Sequence, residues 1–251
     1  MCGMSFRAVS SNPDAWKALA DALSGLVEEA SFEVSPEGIS LRAMDPSRVA
    51  MVSLSWTSSS FEEYSCGSST SISIRVDDLR KVMKRVDKKD KIIVELGEGT
   101  ITFRLKDGYE REFVVPLVEA GEALRPLPKL SFNVQAKIMQ RALRKLLEDV
   151  EAVSDHVTLR AGQDALEFHG RSELGQVKAR LTTGDPDLLE LAVKEPSEAT
   201  YSLEYLSDFV KSIKPAEVTT LEFSSKMPIK LAFPLDERGS VMEFYLAPRM
   251  E

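Results

Sequence analysis

The sequence predicts an α+β fold of two topologically alike domains, each with antiparallel sheet covered by two helices. Three observations lead there. Segments with strand alternation and segments with helical spacing occur in the same order in both halves of the 251-residue chain. A run of apolar positions in the first half recurs 127 residues later. Between the halves lies a stretch with neither period, which places domain 1 at 1–116, a connecting loop at 117–130 and domain 2 at 131–251.

The stretch LVEAGEALRPLPKL, Leu117 to Leu130, carries Pro126 and Pro128. Each proline pushes the residue before it toward extended backbone. A connection of this length in a compact protein is a functional loop or a strap between domains.

The chain opens with the alternating strand Ser5 to Val9, and Ser131 to Val134 is its counterpart. A helix follows in each half. Trp16, Leu19, Ala20, Leu23, Leu26 and Val27 share one helical face. Asn12 supplies a cap and Pro13 a first-turn proline. Met139, Ala142, Leu143, Leu146 and Val150 repeat that face. Hairpins come next, Phe32–Val34 with Ile39–Arg42 across Ser35-Pro36-Glu37-Gly38, and Val157–Leu159 with Leu166–Phe168. A further strand closes each set, Val49 to Trp56 and Gln176 to Leu181. Ile74, Val76, Leu79, Val82, Met83, Lys84 and Val86 then match Tyr201, Leu203, Leu206, Phe209, Val210, Lys211 and Ile213. The same offset aligns Val94-Glu95-Leu96 with Leu221-Glu222-Phe223. The predicted order per half is strand, helix, three strands, helix, then two or three strands. Two copies of this size are a duplicated domain, not a solenoid.

Composition narrows the function. Hydrophobic residues at 43% suffice for a core, and no apolar run approaches the ~18 residues of a membrane span. The first residues lack the basic and apolar regions of a signal peptide. Two cysteines are too few for a disulfide framework, so an intracellular, reducing compartment is expected. A net charge of −8 argues against nucleic-acid binding unless one face is locally basic. Two helices meet that condition. Asp77, Asp78, Arg80, Lys81, Lys84 and Arg85 give +2 over Val76–Val86, and Lys137, Arg141, Arg144 and Lys145 give +4 over Ala136–Leu147. The last four fall at i, i+4, i+7 and i+8, a stripe opposite the apolar residues. The other two helices each sum to −1. A solvated helix face explains one basic helix; two in matching domains of an acidic chain point to a polyanion. No base-reading motif is present, so the contacts would be to phosphates.

Catalytic signatures are missing. His156 and His169 form no metal-ligand spacing, and His169 reads as a strand-end or turn residue. There is no G-x-S-x-G, no Walker-type loop and no G-x-G-x-x-G; Gly97-Glu98-Gly99-Thr100 is a hairpin turn. The expectation is a protein that is not an enzyme and needs no cofactor or metal.

The run Glu29 to Val49, EASFEVSPEGISLRAMDPSRV, resembles the PCNA-type sliding clamps of archaeal and eukaryotic DNA replication. So do Ser172-Glu173-Leu174-Gly175 and the tail Met242 to Arg249. The resemblance spans essentially the whole chain. It implies two DNA-clamp domains per chain, and three subunits joined head to tail in a ring around duplex DNA, with helices inside and sheets outside. Lys81, Lys84, Arg144 and Lys211 match the family's inner cations; Arg80, Arg85, Lys137, Arg141 and Lys145 are assigned to DNA by the stripe alone. Glu204 departs from the pattern, standing where relatives often carry a basic residue. The implied partner-peptide pocket comprises Met44, Val49, Leu124, Leu127, Pro128, Pro228, Tyr245, Ala247 and Pro248. Implied partners are DNA polymerase, flap endonuclease, DNA ligase and a replication factor C-type loader, with no membrane. The ring would be a homo- or heterotrimer in the cytoplasm near the nucleoid, or in the nucleus of a eukaryote. Two alternatives remain: a damage-checkpoint clamp subunit of the same fold, and an acidic peptide-binding scaffold without DNA.

Overall fold

The structure, a computed structural model, describes residues 6–119, 130–173, 175–213 and 217–249. The chain folds into two compact units. The first holds Met1–Pro46, Val52–Arg125 and Leu235–Met242; the second holds Ser47–Met51, Pro126–Pro234 and Glu243–Glu251.

The first half runs β1 (Phe6–Ser10), α1 (Pro13–Ser24), β2 (Glu29–Ser35), β3 (Gly38–Met44), β4 (Ala50–Thr57), a 3₁₀ turn, β5 (Glu63–Cys66), β6 (Thr70–Arg75), α2 (Val76–Met83), β7 (Lys91–Leu96), β8 (Thr100–Asp107) and β9 (Tyr109–Pro116). The second runs β10 (Val134–Met139), α3 (Gln140–Glu151), β11 (His156–Gly162), β12 (Ala165–Ser172), β13 (Gly175–Thr182), β14 (Leu188–Val193), β15 (Ser197–Ser202), α4 (Leu203–Ser212), β16 (Val218–Phe223), β17 (Ile229–Pro234) and β18 (Val241–Leu246). The offset of 127 relates β2 to β11, β6 to β15 and β7 to β16 at their first residues. Strand order repeats too. The set β5-β1-β7-β8-β9 corresponds to β14-β10-β16-β17-β18, and β4-β3-β2-β6 to β13-β12-β11-β15.

Five strands, not three, separate the helices of each half. The extra ones, β5 with β6 and β14 with β15, include serine-rich runs such as Thr70-Ser71-Ile72-Ser73. Serine blurs the period-2 signal, and these segments take their strand form from their neighbours. Helix limits also differ from expectation, in α1 and α3 as follows. The periodicity of α1 extends to Val27, but Gly25 caps the helix after Ser24. Residues 134–139 form β10 rather than the start of α3, while the expected strand at 131–134 reaches only Val134. Pairing on both sides of β10, with β14 and β16, overrides the helical spacing of Met139.

Each unit places its helices against sheet. In unit 1 Trp16 of α1 packs on Trp56 at 4.8 Å between ring centroids and edge-on to Phe103 at 6.0 Å. Burying an aromatic ring removes ~150–250 Å² from water, roughly 4–6 kcal/mol at ~25 cal/mol/Å². In unit 2 the Phe209 ring of α4 stacks on Phe244 of β18 at 4.3 Å. The start of α1 is fixed by Asn12, whose side-chain oxygen accepts the Ala15 N–H at 3.1 Å. Between β2 and β3, Gly38 holds φ +149°, and a Cβ there would meet the Trp56 carbonyl at 2.1 Å, so only glycine fits this turn.

Candidate nucleic-acid interface and partner surface

On α2 the residues Val76, Leu79, Val82 and Met83 are buried, which leaves Lys81 exposed on the opposite side. Lys84 caps the helix and Arg85 follows it, so the expected helix to Val86 is shorter by a turn. On α3, Gln140, Leu143, Leu147 and Val150 are buried and Arg141, Arg144 and Lys145 face solvent. The expected four-residue stripe becomes three. Lys137 lies on β10, where its ammonium meets Glu190 of β14 at 2.6 Å. Lys211 on α4 is half-buried and 3.2 Å from Glu151 of α3.

Most of these cations already hold a carboxylate. Arg80 on α2 reaches Asp21 of α1 at 3.6 Å, Lys81 reaches Asp78 at 3.1 Å, Arg141 reaches Asp187 at 2.9 Å and Arg144 reaches Glu148 at 2.9 Å. The Lys81 ammonium, with Arg75 beside it, holds the Asp78 carboxyl below the usual carboxylate range. Among the described residues Lys84, Arg85 and Lys145 form no ion pair within 4.0 Å. An arginine in the first turn of α3 opposes the helix dipole, and Asp187 offsets it. Exposed pairs of this kind are worth ~0–1 kcal/mol, so phosphates can displace the carboxylates at little cost. The i+3 and i+4 partners, Asp78 to Lys81 and Arg144 to Glu148, are visible as spacings in the sequence. Asp187 and Glu190 are not, because β14 carries no clear strand signal.

For the expected peptide pocket, Leu124, Leu127 and Pro128 lie outside the described residues, as does Leu174 of the motif at 172–175. In unit 2, Ala247 donates its backbone N–H to the Val49 carbonyl at 2.8 Å, which brings the tail to a valine that is 37% exposed. Tyr245 is half-buried; burial and the nearby Glu243 push its hydroxyl up to about 12, and it donates to Glu243 at 3.0 Å. Lys230 bridges Glu243 at 2.9 Å and Glu222 at 3.1 Å behind it. Pro228, immediately before β17, and Pro248 are half-buried. In unit 1, Met44 ends β3 half-buried. In unit 2, Val49, Pro228, Tyr245, Ala247 and Pro248 offer apolar surface backed by satisfied polar groups.

His169 sits within β12 rather than at a strand end, with Nε2 2.9 Å from Glu167. Among the described residues no group of three or more His, Cys, Asp or Glu is placed to hold a metal, and no helix is long and apolar enough to cross a membrane.

Comparison with known proteins covers both halves. The N-terminal domain of proliferating cell nuclear antigen (PCNA) matches residues 6–112, and its C-terminal domain matches residues 127–249. A DNA polymerase sliding clamp of Cenarchaeum symbiosum is 37% identical over 98% of this chain and 99% of its own. One of Thermofilum pendens is 40% identical over 95% of this chain and 98% of its own. The crystal structure of PCNA from Thermococcus kodakaraensis superposes with a TM-score of 0.93 at 28% identity, covering 97% of this chain and 100% of that one. The PCNA2–PCNA3 complex of Sulfolobus tokodaii gives 0.91 at 29% identity, covering 98% and 100%.

Proposed function

The chain belongs to the proliferating cell nuclear antigen family and is a DNA polymerase sliding clamp; from that premise we propose how its own residues do the work. Three subunits join head to tail into a ring, and duplex DNA passes through it. Domain 1 is 1–116, domain 2 is 131–251, and 117–130 straps them together. Lys84, Arg85 and Lys145 make the first phosphate contacts because no carboxylate competes for them. Arg80, Lys81, Lys137, Arg141, Arg144 and Lys211 contribute by exchanging a carboxylate for a phosphate. The contacts are sequence-neutral and individually weak. Holding therefore comes from topology and sliding from electrostatics: a closed ring cannot leave sideways, and no single contact pins it.

The ring binds polymerase, flap endonuclease and ligase one at a time through Met44, Val49, Leu124, Leu127, Pro128, Pro228, Tyr245, Ala247 and Pro248. A replication factor C-type ATPase opens it. The clamp carries out no chemistry of its own and works beside the nucleoid of an archaeal cell.

The observation that carries this reading is the match of both domain families along one chain whose two halves each present a cationic helix. The test is retention on DNA. Loaded protein is expected to remain on a closed circle through a salt wash and to slip from the same DNA once linearised. Equal retention on both forms overturns the topological mechanism.

A further inference from the structure

The four-stranded sheet β13-β12-β11-β15 of unit 2 carries cations on the face turned away from α3. Side chains alternate along each strand. Val157, Leu159, Ala161 and Phe168 are buried, and a Cβ built at Gly170 would meet Val150 of α3, so this set faces the helix. The opposite set holds Thr158 and Arg160 on β11, His169 and Arg171 on β12, and Lys178 and Arg180 on β13, with Glu167 and Glu198 among them. The tail adds a further cation. Arg249 donates its backbone N–H to the Thr200 carbonyl of β15 at 2.8 Å, and its guanidinium lies 2.8 Å from Nδ1 of His156. Thr158, Arg160, His169, Arg171, Lys178 and Arg249 line one open depression of about 1130 Å³.

The first copy of the domain shows that the sheet does not require these cations. Its equivalent strands β2, β3 and β6 present Ser31 with Glu33, Ser40 with Arg42, and Ser71 with Ser73, and β4 has no charged residue. A second departure lies beside Arg249. Lys226, in the turn between β16 and β17, holds φ +59°, and Gly99 with φ +69° stands 127 residues earlier. Left-handed backbone favours glycine, so this lysine is kept against a conformational cost. Thr200, Ser225, Lys226, Pro248 and Arg249 line a second depression of about 480 Å³, which shares Thr200, Glu198 and Arg249 with the first. Carboxylates are scarce on this surface. Lys178, Arg180 and His169 share Glu167, at 3.0, 3.6 and 2.9 Å, and Arg160 holds Glu198 at 2.7 Å. Among the described residues the exposed Arg171 and Lys226 form no ion pair within 4.0 Å, and Arg249 meets a histidine rather than a carboxylate.

We propose that the two joined depressions dock an acidic segment of a partner protein, a run of aspartate or glutamate carboxylates. The proposal rests on the partner groove described above, because Pro248 belongs both to its tail wall and to the second depression. A partner chain seated in the groove has a cationic track beside it, from Lys226 past Arg249 to Arg160 and Arg171. The chain as a whole carries a net charge of −8, so an acidic segment is repelled elsewhere and attracted here. Charges at such a rim act on partner choice more than on raw affinity. Nucleic acid fits less well. The α3 cations proposed for duplex DNA lie on the other side of this sheet, so phosphates held there do not reach this face. Among the described residues the lining of both depressions has no Phe, Tyr or Trp ring on which single-stranded bases could stack.

The test is calorimetry on the full chain with synthetic groove peptides, each holding a glutamine, an aliphatic residue and two aromatic rings. One is extended at either end by a run of glutamates, the other by a run of serines. The glutamate-extended peptide is expected to bind about tenfold more tightly at low salt, and the advantage should vanish at high salt. Arg171→Ser combined with Lys226→Gly and Arg249→Ser should erase the advantage and leave the serine-extended peptide unaffected. Equal affinity of the two peptides for the parent overturns the proposal, as does an advantage that survives in the variant. So does a single-stranded oligothymidylate that binds these cations more tightly than the acidic peptide, which would make nucleic acid the occupant. A serine-extended peptide that does not bind the parent at all defeats the groove reading by itself. The glutamate run alone must then still shift the His156 and His169 ring resonances in nuclear magnetic resonance spectra, and resonances that stay in place overturn this proposal too.

Discussion

Arg111 on β9 spans both carboxylate oxygens of Asp90 with one guanidinium nitrogen, 2.6 Å from each, and the Asp90 side chain is fully buried. The same arginine donates to the Arg85 carbonyl at 2.8 Å. It thus fastens a terminal strand to the end of the cationic helix α2. Removing it leaves a buried carboxylate without its cation, which costs ~3–5 kcal/mol. Arg111→Ala is expected to lower the urea midpoint accordingly and to loosen the ring by freeing β9. An unchanged midpoint would show that water already compensates Asp90.

The junction between subunits should fail when β13 is interrupted. Val177, Ala179 and Leu181 form a half-buried row on this strand, and β9 exposes Tyr109 at 68% and Val114 at 56%. Proline at position 179 removes a backbone donor and stiffens the strand. Ala179→Pro should sediment as a folded monomer. If it stays trimeric, β13 is not at the junction.

Phosphate binding should follow the free cations more closely than the total. Each neutralised phosphate contributes ~0.9 to the log–log salt slope of binding to duplex DNA. Lys145→Ala should remove nearly that amount, because Lys145 has no ion pair among the described residues. Arg141→Ala or Arg144→Ala should remove less, since Asp187 and Glu148 must first be given up. The triple variant should load poorly while binding partner peptide normally. Equal slopes for the triple variant and the parent would take α3 off the DNA surface.

The repeat is legible in the sequence because apolar positions in both copies keep one spacing: Leu79 and Leu206 are both buried on their helices, as are Val94 and Leu221 on their strands. The charged stripe is only partly legible. Lys137 has helical spacing to Arg141, yet two neighbouring strands claim it, and sequence periodicity carries no information about pairing partners. The carboxylates that quench Arg80 and Arg141 lie 59 and 46 residues away in sequence, so no local rule finds them.

The segment after β17 should make part of unit 1 acid-sensitive. Asp236 accepts backbone N–H groups from Arg238 at 2.7 Å and Ser240 at 3.2 Å. Burial pushes its carboxyl upward, but these bonds and Ser60 outweigh that and hold it below its usual 3.8. A depressed native pKa stabilises the fold above the unfolded value and is lost as pH falls through the native one. Asp236→Asn is expected to cost about 1 kcal/mol near neutrality, the worth of a hydrogen bond to a charged group over a neutral one. In denaturant titrations the gap between variant and parent should close below about 3.8. A gap that persists in acid would assign the effect to shape and not to charge.

Partner binding should fail when charge is placed in the proposed groove. Leu124 and Leu127, in the strap, are proposed for one wall, and Pro228 with the tail from Tyr245 to Pro248 for the other. The family resemblance implies a short ligand with a glutamine, an aliphatic residue and two aromatic rings. Two buried rings contribute about 8–12 kcal/mol gross. Association and ordering remove ~4 kcal/mol or more, which leaves affinity near micromolar, suited to partners that exchange on one ring. Leu124→Asp puts a carboxylate where the rings dock, at a cost of several kcal/mol in desolvation and lost contact. Calorimetry should then detect no peptide binding, while light scattering finds the ring intact and the loader still places it on DNA. Because Tyr245 already donates its hydroxyl to Glu243, Tyr245→Phe should leave the ring assembled and weaken the peptide far less than Leu124→Asp. Peptide affinity unchanged in Leu124→Asp would place the groove elsewhere.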